Sequence, residues 1–404
     1  MTPVERIGLQ DWMASPGVEA VLAALTADGA VVRFVGGCVR DAVIGRAIAG
    51  DIDLATADPP ETVIALLEAA GLRALPTGIA HGTVTAVAEG QALEVTTLRR
   101  DVETDGRHAK VAFTDDWLVD AERRDFTMNA LFCDADGALY DPTGGLEDAR
   151  AGRVRFIGDA GSRIDEDALR ILRFFRFYAH YGRTAADQAA LDACRAKASQ
   201  VGALSGERAG AEMLKLLAAR DPEPAVALMI ESGVMEALLP QITGSGNLAV
   251  LCRFDDGDAL RRLALLLRHG NGDAAAVSAR LRLSNERGDR LIAMTTPPFE
   301  ISADLDIAAQ RHALYRLGAA LFTDLVYLAR AETCSPCFGA MLENAREWRT
   351  PTLPVGGDDV MALGVESGPQ VGRLLEAVED WWIDDGFKAE RETVLAKLAS
   401  LVET

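Results

Sequence analysis

Residues 32–56 read VRFVGGCVRDAVIGRAIAGDIDLAT. Val31 to Val35 is a short apolar run with a β-branched bias, which predicts a buried strand. Gly36-Gly37 breaks it, and Cys38 to Ile44 reads as a helix that closes at Gly45. A second strand is expected over Asp51 to Ala55. Glycines let a backbone approach an anion closely, and a helix N-terminus presents free N–H groups to it. Arg40, one turn into that helix, reaches toward the same anion. Read alone, the Gly-Gly unit is a tight turn before it is a phosphate site. The chain has neither a G-x-x-x-x-G-K-[ST] loop nor a G-x-G-x-x-G fingerprint, which excludes the P-loop and Rossmann readings.

Asp51 and Asp53 stand at i and i+2 of the second strand, so both carboxylates leave the same face. Two adjacent carboxylates repel unless a cation joins them. Mg²⁺ held by one or two carboxylates plus nucleotide phosphates is the natural partner. Two such ions would activate a 3′-hydroxyl and stabilise leaving pyrophosphate. An isolated D-x-D is more often a solvated acidic turn. The preceding Gly-Gly-helix unit shifts that balance, because it sets a phosphate site beside the metal site.

Outward from this segment, residues 18–30 read as a helix ending near Gly29. Pro59-Pro60 starts a helix running to about Ala70. Strands are expected at Gly82–Ala88 and Leu93–Leu98. Arg99 to Lys110 is dense in charge and poor in apolar residues, so it reads as a mobile loop. Leu131–Asp134 and Ala138–Asp141 flank an Asp136-Gly137 hairpin turn, and Arg153–Ile157 reads as a last strand. After about residue 161 the strand signals stop, and helical periodicity rich in Ala and Leu takes over. The fold class is α+β: a mixed α/β head followed by a long all-α region.

The chain has 404 residues, 49% hydrophobic and 25% charged, which suits a packed multidomain protein. Six cysteines are too sparse for a disulfide framework. No apolar stretch suits a membrane span, and MTPVERIGLQDW lacks the pattern of a secretory signal. A soluble, reduced, cytoplasmic protein is expected, with no membrane partner. The net charge of −20 argues by itself against nucleic-acid binding. Its distribution argues otherwise, since residues 1–160 carry −12, residues 161–220 carry +3 and residues 221–404 carry −11. A bound polyanion would lie against the middle segment.

That segment contains RIDEDALRILRFFRFYAHY, Arg163 to Tyr181. Read as one helix, Asp167, Arg170, Arg173 and Arg176 drift back about 60° per step of three and span about half the circumference. Large apolar residues fill the gaps, so some arginines must face a packed surface or a pocket. One reading is an Asp167–Arg170 ion pair with snorkelling arginines. The other is chemical. Aspartate accepts hydrogen bonds and arginine donates them. Cytosine and adenine both present an amine donor beside a ring-nitrogen acceptor, whereas uracil and guanine present the reverse. An Asp/Arg pair therefore matches C and A and leaves unpaired groups against U and G.

VGGCVRD with GDIDLAT, ERRDFTMNALF (Glu122 to Phe132), EDALRILRFFRF (Glu166 to Phe177) and GERAGAEMLKLL (Gly206 to Leu217) follow one another in the chain. In order and spacing they resemble the motifs of the class II tRNA nucleotidyltransferase and poly(A) polymerase superfamily, most closely the CCA-adding enzymes. The resemblance covers about residues 31–220. It implies a catalytic nucleotidyltransferase head at 1–160, a base-reading, RNA-binding neck at 161–225, and an elongated helical body and tail at 226–404 that binds tRNA. It implies that Asp51 and Asp53 hold Mg²⁺, and that Gly37 and Arg40 contact nucleotide phosphates. Arg124 would contact the nucleotide, with Asp125 and Asn129 near the sugar. Asp167 and Arg170 would pair with the base, supported by Arg173 and Arg176. Glu94 is a possible third carboxylate. The implied reaction is template-independent addition of C, C and A to tRNA 3′ ends from CTP and ATP. The rivals are a poly(A) polymerase on the same scaffold and a non-catalytic RNA-binding protein.

Other motifs point to no site. Cys334-Ser335-Pro336-Cys337 has no second pair, so zinc and redox readings lack support. The five histidines form no close pair, and none is followed by Asp. His180 among aromatics and Trp381-Trp382 read as packing.

Overall fold

The computed structural model describes residues 1–48, 51–105, 108–270 and 272–403, with side chains outside 101–111. These residues form two compact units, Met1–Gly244 and Ser245–Thr404. The first holds ten strands: β1 (Glu5–Arg6), β2 (Val32–Val35), β3 (Ile52–Thr56), β4 (Arg73–Gly78), β5 (Thr83–Ala88), β6 (Gln91–Thr97), β7 (Arg99–Asp105), β8 (His108–Phe113), β9 (Phe132–Cys133) and β10 (Ala138–Tyr140). Eight make one mixed sheet in the order β1-β10-β9-β2-β3-β6-β5-β4. The apolar run Val32–Val35 is buried along its whole length because β2 sits between β9 and β3. β3 runs parallel to β6 and places Asp53 opposite Glu94. The helices of this first part are α1 (Pro16–Leu25), α2 (Gly37–Val43), α3 (Pro60–Ala69), α4 (Trp117–Glu122) and α5 (Gly145–Ala151).

Several expectations are corrected. The charged stretch from Arg99, expected as a mobile loop, pairs into the antiparallel ribbon β7–β8, from Arg99↔Phe113 to Asp105↔His108 with a register shift between Asp101 and Glu103. Backbone hydrogen bonds carry such a ribbon, so it needs no apolar face to be extended. Arg153–Ile157 is no strand and makes one bridge, Phe126↔Phe156, because Phe156 packs on Phe126 and Phe174 instead. β4 was not foreseen: it lies at the sheet edge, where Pro76 removes no ladder bond needed by a central strand.

The largest correction concerns the charged helix. Ala160–Glu166 (α6) and Leu169–Tyr181 (α7) are separate helices. Asp167 between them is extended, at φ −157° and ψ 109°. Its Oδ1 accepts the Leu169 N–H at 3.0 Å, capping α7. A short carboxylate that satisfies an orphan donor of the next helix favours this break over continued winding. The four charged positions therefore do not share one helical periodicity.

Phe174 and Phe175 of α7 are fully buried, and Phe174 meets Phe126 and Phe156 of the preceding part. This aromatic cluster locks α7 onto the sheet domain. Replacing Phe174 by Ala is expected to cost roughly 3–5 kcal/mol in chemical denaturation; a loss under 1 kcal/mol would show that the cluster does not hold the two parts together. The unit continues with α8 (Gln188–Ala196), α9 (Gly206–Leu217), α10 (Glu223–Glu231) and α11 (Val234–Leu238).

The second unit contains no strand among its described residues. Trp382 lies in its core with Val360, Val378 and Leu398, and Trp381 packs at the edge, as expected of a packing pair. Cys334 and Cys337 are exposed free thiols. No helix among the described residues is long and apolar enough to cross a membrane.

Candidate active site

Two cavities meet around Asp53. The first, about 400 Å³, is lined by Gly36, Gly37, Arg40, Asp53, Arg123, Arg124, Asp125, Asn129, Asp167, Arg170, Arg173 and Phe177. The Gly36-Gly37 turn, Asp53 and the Asp167 and Arg170 pair expected to read the base thus line one cavity, despite lying more than a hundred residues apart. The second, about 420 Å³, contains Asp51 and shares Gly37, Arg40, Asp53 and Phe177 with the first.

The acidic doublet is carried at the start of β3. Burial, together with Glu94 and Asp51 and against the pull of Arg124, pushes the Asp53 carboxyl up to about 6. Glu94, an exposed residue, stands across the parallel ladder from Asp53. Gly36 adopts φ 75° and ψ −125°, open only to glycine. A Cβ there would stand 3.7 Å from Arg124 Nη1 and 3.8 Å from Asp53 Oδ2. The glycine keeps open the gap between a cation and an acid. Cys38, buried beneath, has its thiol pushed up to about 11 by burial, so it is no nucleophile at neutral pH.

The arginines differ in how they are held. Arg124 is gripped by the buried Asp120 through Nε (3.2 Å) and Nη2 (2.9 Å). Burial pulls the Asp120 carboxyl upward, but Arg124 and Arg123 outweigh it and hold it below the usual range. This grip aims Nη1 of Arg124 toward Gly36. Arg40, expected to contact phosphate, lines both cavities; it is 6% exposed, and its nitrogens bond Asp41 at 3.0 Å, Asn129 at 2.6 Å and the Tyr181 hydroxyl at 2.5 Å. A guanidinium spent on three protein acceptors contributes charge and rigidity before it contributes a contact. Arg173 is bound by Asp125, whose carboxyl burial raises but Arg173 and Asn129 hold low. Arg176 pairs with the buried Glu212 of α9, Nε to Oε2 at 3.2 Å.

The Asp167 and Arg170 side chains pair with other residues rather than with each other. Asp167 Oδ2 receives Arg208 Nη2 of α9 at 2.5 Å. Arg170 pairs with Glu166 and donates to the Arg163 carbonyl at 3.0 Å. Each of the two side chains thus has its own holder, and both line the first cavity. Asp120, Glu166, Tyr181, Arg208 and Glu212 were not singled out from sequence. Glu166 was legible at i−4 from Arg170 and Asp120 at i−4 from Arg124; the others come from distant elements.

Hard oxygen donors with mutual repulsion suit a divalent cation. No group of three His, Cys, Asp or Glu side chains among the described residues closes into a metal site by itself. Oxygens from a bound phosphate would have to complete the coordination.

The family described as poly A polymerase head domain matches residues 32–155, and that described as probable RNA and SrmB-binding site of polymerase A matches 187–244. The chain is 34% identical to the zebrafish (Danio rerio) mitochondrial CCA tRNA nucleotidyltransferase 1 over 91% of this chain and 87% of that protein. It is 32% identical to the CCA-adding enzyme of Geobacillus stearothermophilus over 96% and 97% of the two chains. The crystal structure of the Bacillus stearothermophilus CCA-adding enzyme in complex with CTP superposes with a TM-score of 0.82 at 29% identity, covering 96% of this chain and 98% of that one.

Proposed function

Because this chain belongs to the family of CCA-adding tRNA nucleotidyltransferases, we propose that it adds C, C and A to the 3′ end of tRNA from CTP and ATP, releasing pyrophosphate without a template. The observation that carries this reading is the shared cavity: Asp53, Arg124, Asp167 and Arg170 line one space of nucleotide size. A nucleotide bound there meets an acid at its phosphates and a hydrogen-bonding pair at its base.

Asp51 and Asp53 would hold the divalent cation, magnesium in this reading, with Glu94 a third carboxylate within electrostatic reach. When bound, the cation supplies positive charge for the reacting phosphate and makes the 3′-hydroxyl more acidic; the two-metal form of this chemistry is part of the proposal. Gly36 and Gly37 admit the triphosphate close to the backbone, and Arg124 Nη1 neutralises its charge. Arg40 fixes Asn129 and Tyr181 and adds its field to the phosphate side. Asp125 and Asn129, bonded to each other at 3.0 Å, form the wall beside the sugar. Asp167 accepts from the exocyclic amine and Arg170 donates to the ring nitrogen. Arg173 and Arg176, each anchored on a carboxylate, hold the reader's helix in place and keep the cavity cationic.

The test is to incubate the protein with tRNA lacking its last three nucleotides and each NTP separately, then together, and to sequence the products. Stepwise CCA is expected. Products ending in CC alone or A alone would narrow the activity, long A tails would replace the reading by a poly(A) polymerase, and absence of extension would favour a binding protein.

A further inference from the structure

Strand β2 carries a charge inside its buried run. Arg33 is buried, with its guanidinium carbon 4.4 Å from the Trp117 ring centroid and 3.8 Å from that of Tyr140. Asp134 accepts both Arg33 Nε at 2.8 Å and the Tyr140 hydroxyl at 2.7 Å. The sheet register says which face this cluster occupies. Arg33 lies opposite Ala55, which is two residues along β3 from Asp53, and Val35 lies opposite Phe132. Opposite residues, and residues two apart on a strand, share a face. Arg33, Phe132 and Asp53 therefore stand on one face of the sheet, and Trp117 of α4 packs against it. From Arg33 the contacts run toward the site: Trp117 meets Phe132 edge-on, with centroids 5.2 Å apart at 89°, and the Arg124 guanidinium carbon lies 5.6 Å from the Phe132 centroid.

Asp120 alone does not fix Arg124. Nε and Nη2 of Arg124 both fall on one oxygen, Asp120 Oδ2, at 3.2 and 2.9 Å. The other oxygen, Oδ1, is taken by Arg123 Nε at 2.8 Å and by the Arg99 backbone N–H at 3.3 Å. A guanidinium forked onto two oxygens is held in its plane; one hung on a single oxygen rocks about it. Its plane needs a second restraint, and the Phe132 ring is the group that supplies it. A ring face attracts a cation most when water is excluded, and Phe132 is fully buried. Phe132 is kept from turning by the Trp117 edge, and Trp117 by the clamped Arg33. We propose that Trp117 and Phe132, based on Arg33, are positioning residues that set the plane of Arg124 and thereby its grip on the incoming triphosphate. The proposal rests on the nucleotide-addition reading, in which Arg124 Nη1 serves the phosphates. A tilt of that plane would carry Nη1 away from the gap beside Gly36 and Asp53, where it lies 3.7 Å from the position of a Cβ on Gly36. The relay also gives a use to a buried charge in a strand that is otherwise apolar.

The experiment uses the full chain, a tRNA lacking its 3′ end, and inorganic tripolyphosphate with Mg²⁺ in excess, a competitor that carries the phosphates without sugar or base. Wild-type protein must extend the tRNA, and Arg124→Ala must weaken tripolyphosphate inhibition; failure of either removes the parent reading and the inference with it. Given both, Trp117→Leu is expected to raise KM for CTP and for ATP by one common factor, about three- to tenfold, the scale of a single cation–ring contact. Tripolyphosphate inhibition should weaken by the same factor, and KM for tRNA should stay within about twofold. Trp117→Phe, which keeps a ring edge, should return KM for both nucleotides to within about twofold of wild type. Phe132→Leu should act in the same direction, and it carries the test if Trp117→Leu does not fold. In the Arg124→Ala background either substitution should add less than about twofold, because the group it positions is gone. Three outcomes reject the relay: full multiplication of the effects in that background, a changed preference for C and A with tripolyphosphate inhibition intact, or unchanged KM values with a lowered unfolding midpoint.

Discussion

Asp53→Asn is expected to reduce nucleotide addition by on the order of 10³-fold or more. Losing several kcal/mol of charge stabilisation at the reacting phosphate corresponds to that factor. Single-turnover extension of a tRNA lacking its 3′ end measures it, and a variant within tenfold of wild type would sink the role given to this doublet. The same substitution has a signature free of activity. Burial, Glu94 and Asp51 raise the Asp53 carboxyl to about 6 in the folded protein, against 3.8 when unperturbed. A folded pKa above the unfolded one favours the native state at low pH, and that advantage disappears as pH rises through about 6. Without divalent cations, wild type should therefore lose stability relative to Asp53→Asn between about pH 4 and 6 and remain the less stable of the two at pH 7. Adding Mg²⁺ should narrow or reverse the difference, because only the wild-type doublet gains a ligand. Thermal unfolding at pH 4, 6 and 7, with and without the cation, reads all of this.

The second large effect concerns selectivity. Asp167→Ala should lower kcat/KM for CTP and ATP together by roughly 10- to 100-fold, the worth of a hydrogen bond to a charged acceptor. UTP and GTP should gain in relative terms, since the unpaired carboxylate that rejects their acceptor edges is gone. Asp167→Asn keeps the helix cap but gives up the Arg208 bond. Its remaining oxygen can still accept the Leu169 N–H that starts α7, while its amide now offers a donor, so incorporation should shift toward UTP. All four nucleotides must be assayed, with unfolding midpoints as the control for helix capping. An unchanged preference for C and A in both variants rejects Asp167 as a reader.

The boundary between local and global information runs through the site itself. Strand β2, the Gly36-Gly37 turn, helix α2 and strand β3 were legible because each is written in neighbouring residues: an apolar run, a glycine stop, a second run with acids two apart. The single-helix reading of Arg163–Tyr181 failed because periodicity does not register competition between a helical turn and a capping carboxylate at Asp167. The ribbon β7–β8 failed for a related reason, since hydrophobic alternation is blind to strands held by each other's backbone. Arg40 shows a third kind of limit. Its residue type and position suggest a phosphate ligand, while its protein acceptors Asn129 and Tyr181 converge on it only when the chain is folded.

From the sequence by itself came the chemistry: paired acids after a glycine turn, an acceptor and a donor three residues apart, and the order of the motifs that carry them. These are properties of residue type and spacing, and they survive any packing. What only the tertiary structure decided is who holds whom. Arg208 holds Asp167, Asp125 holds Arg173, Glu212 holds Arg176, and two cavities share Asp53, because burial leaves each charge no choice but to find its partner in whichever element packs against it.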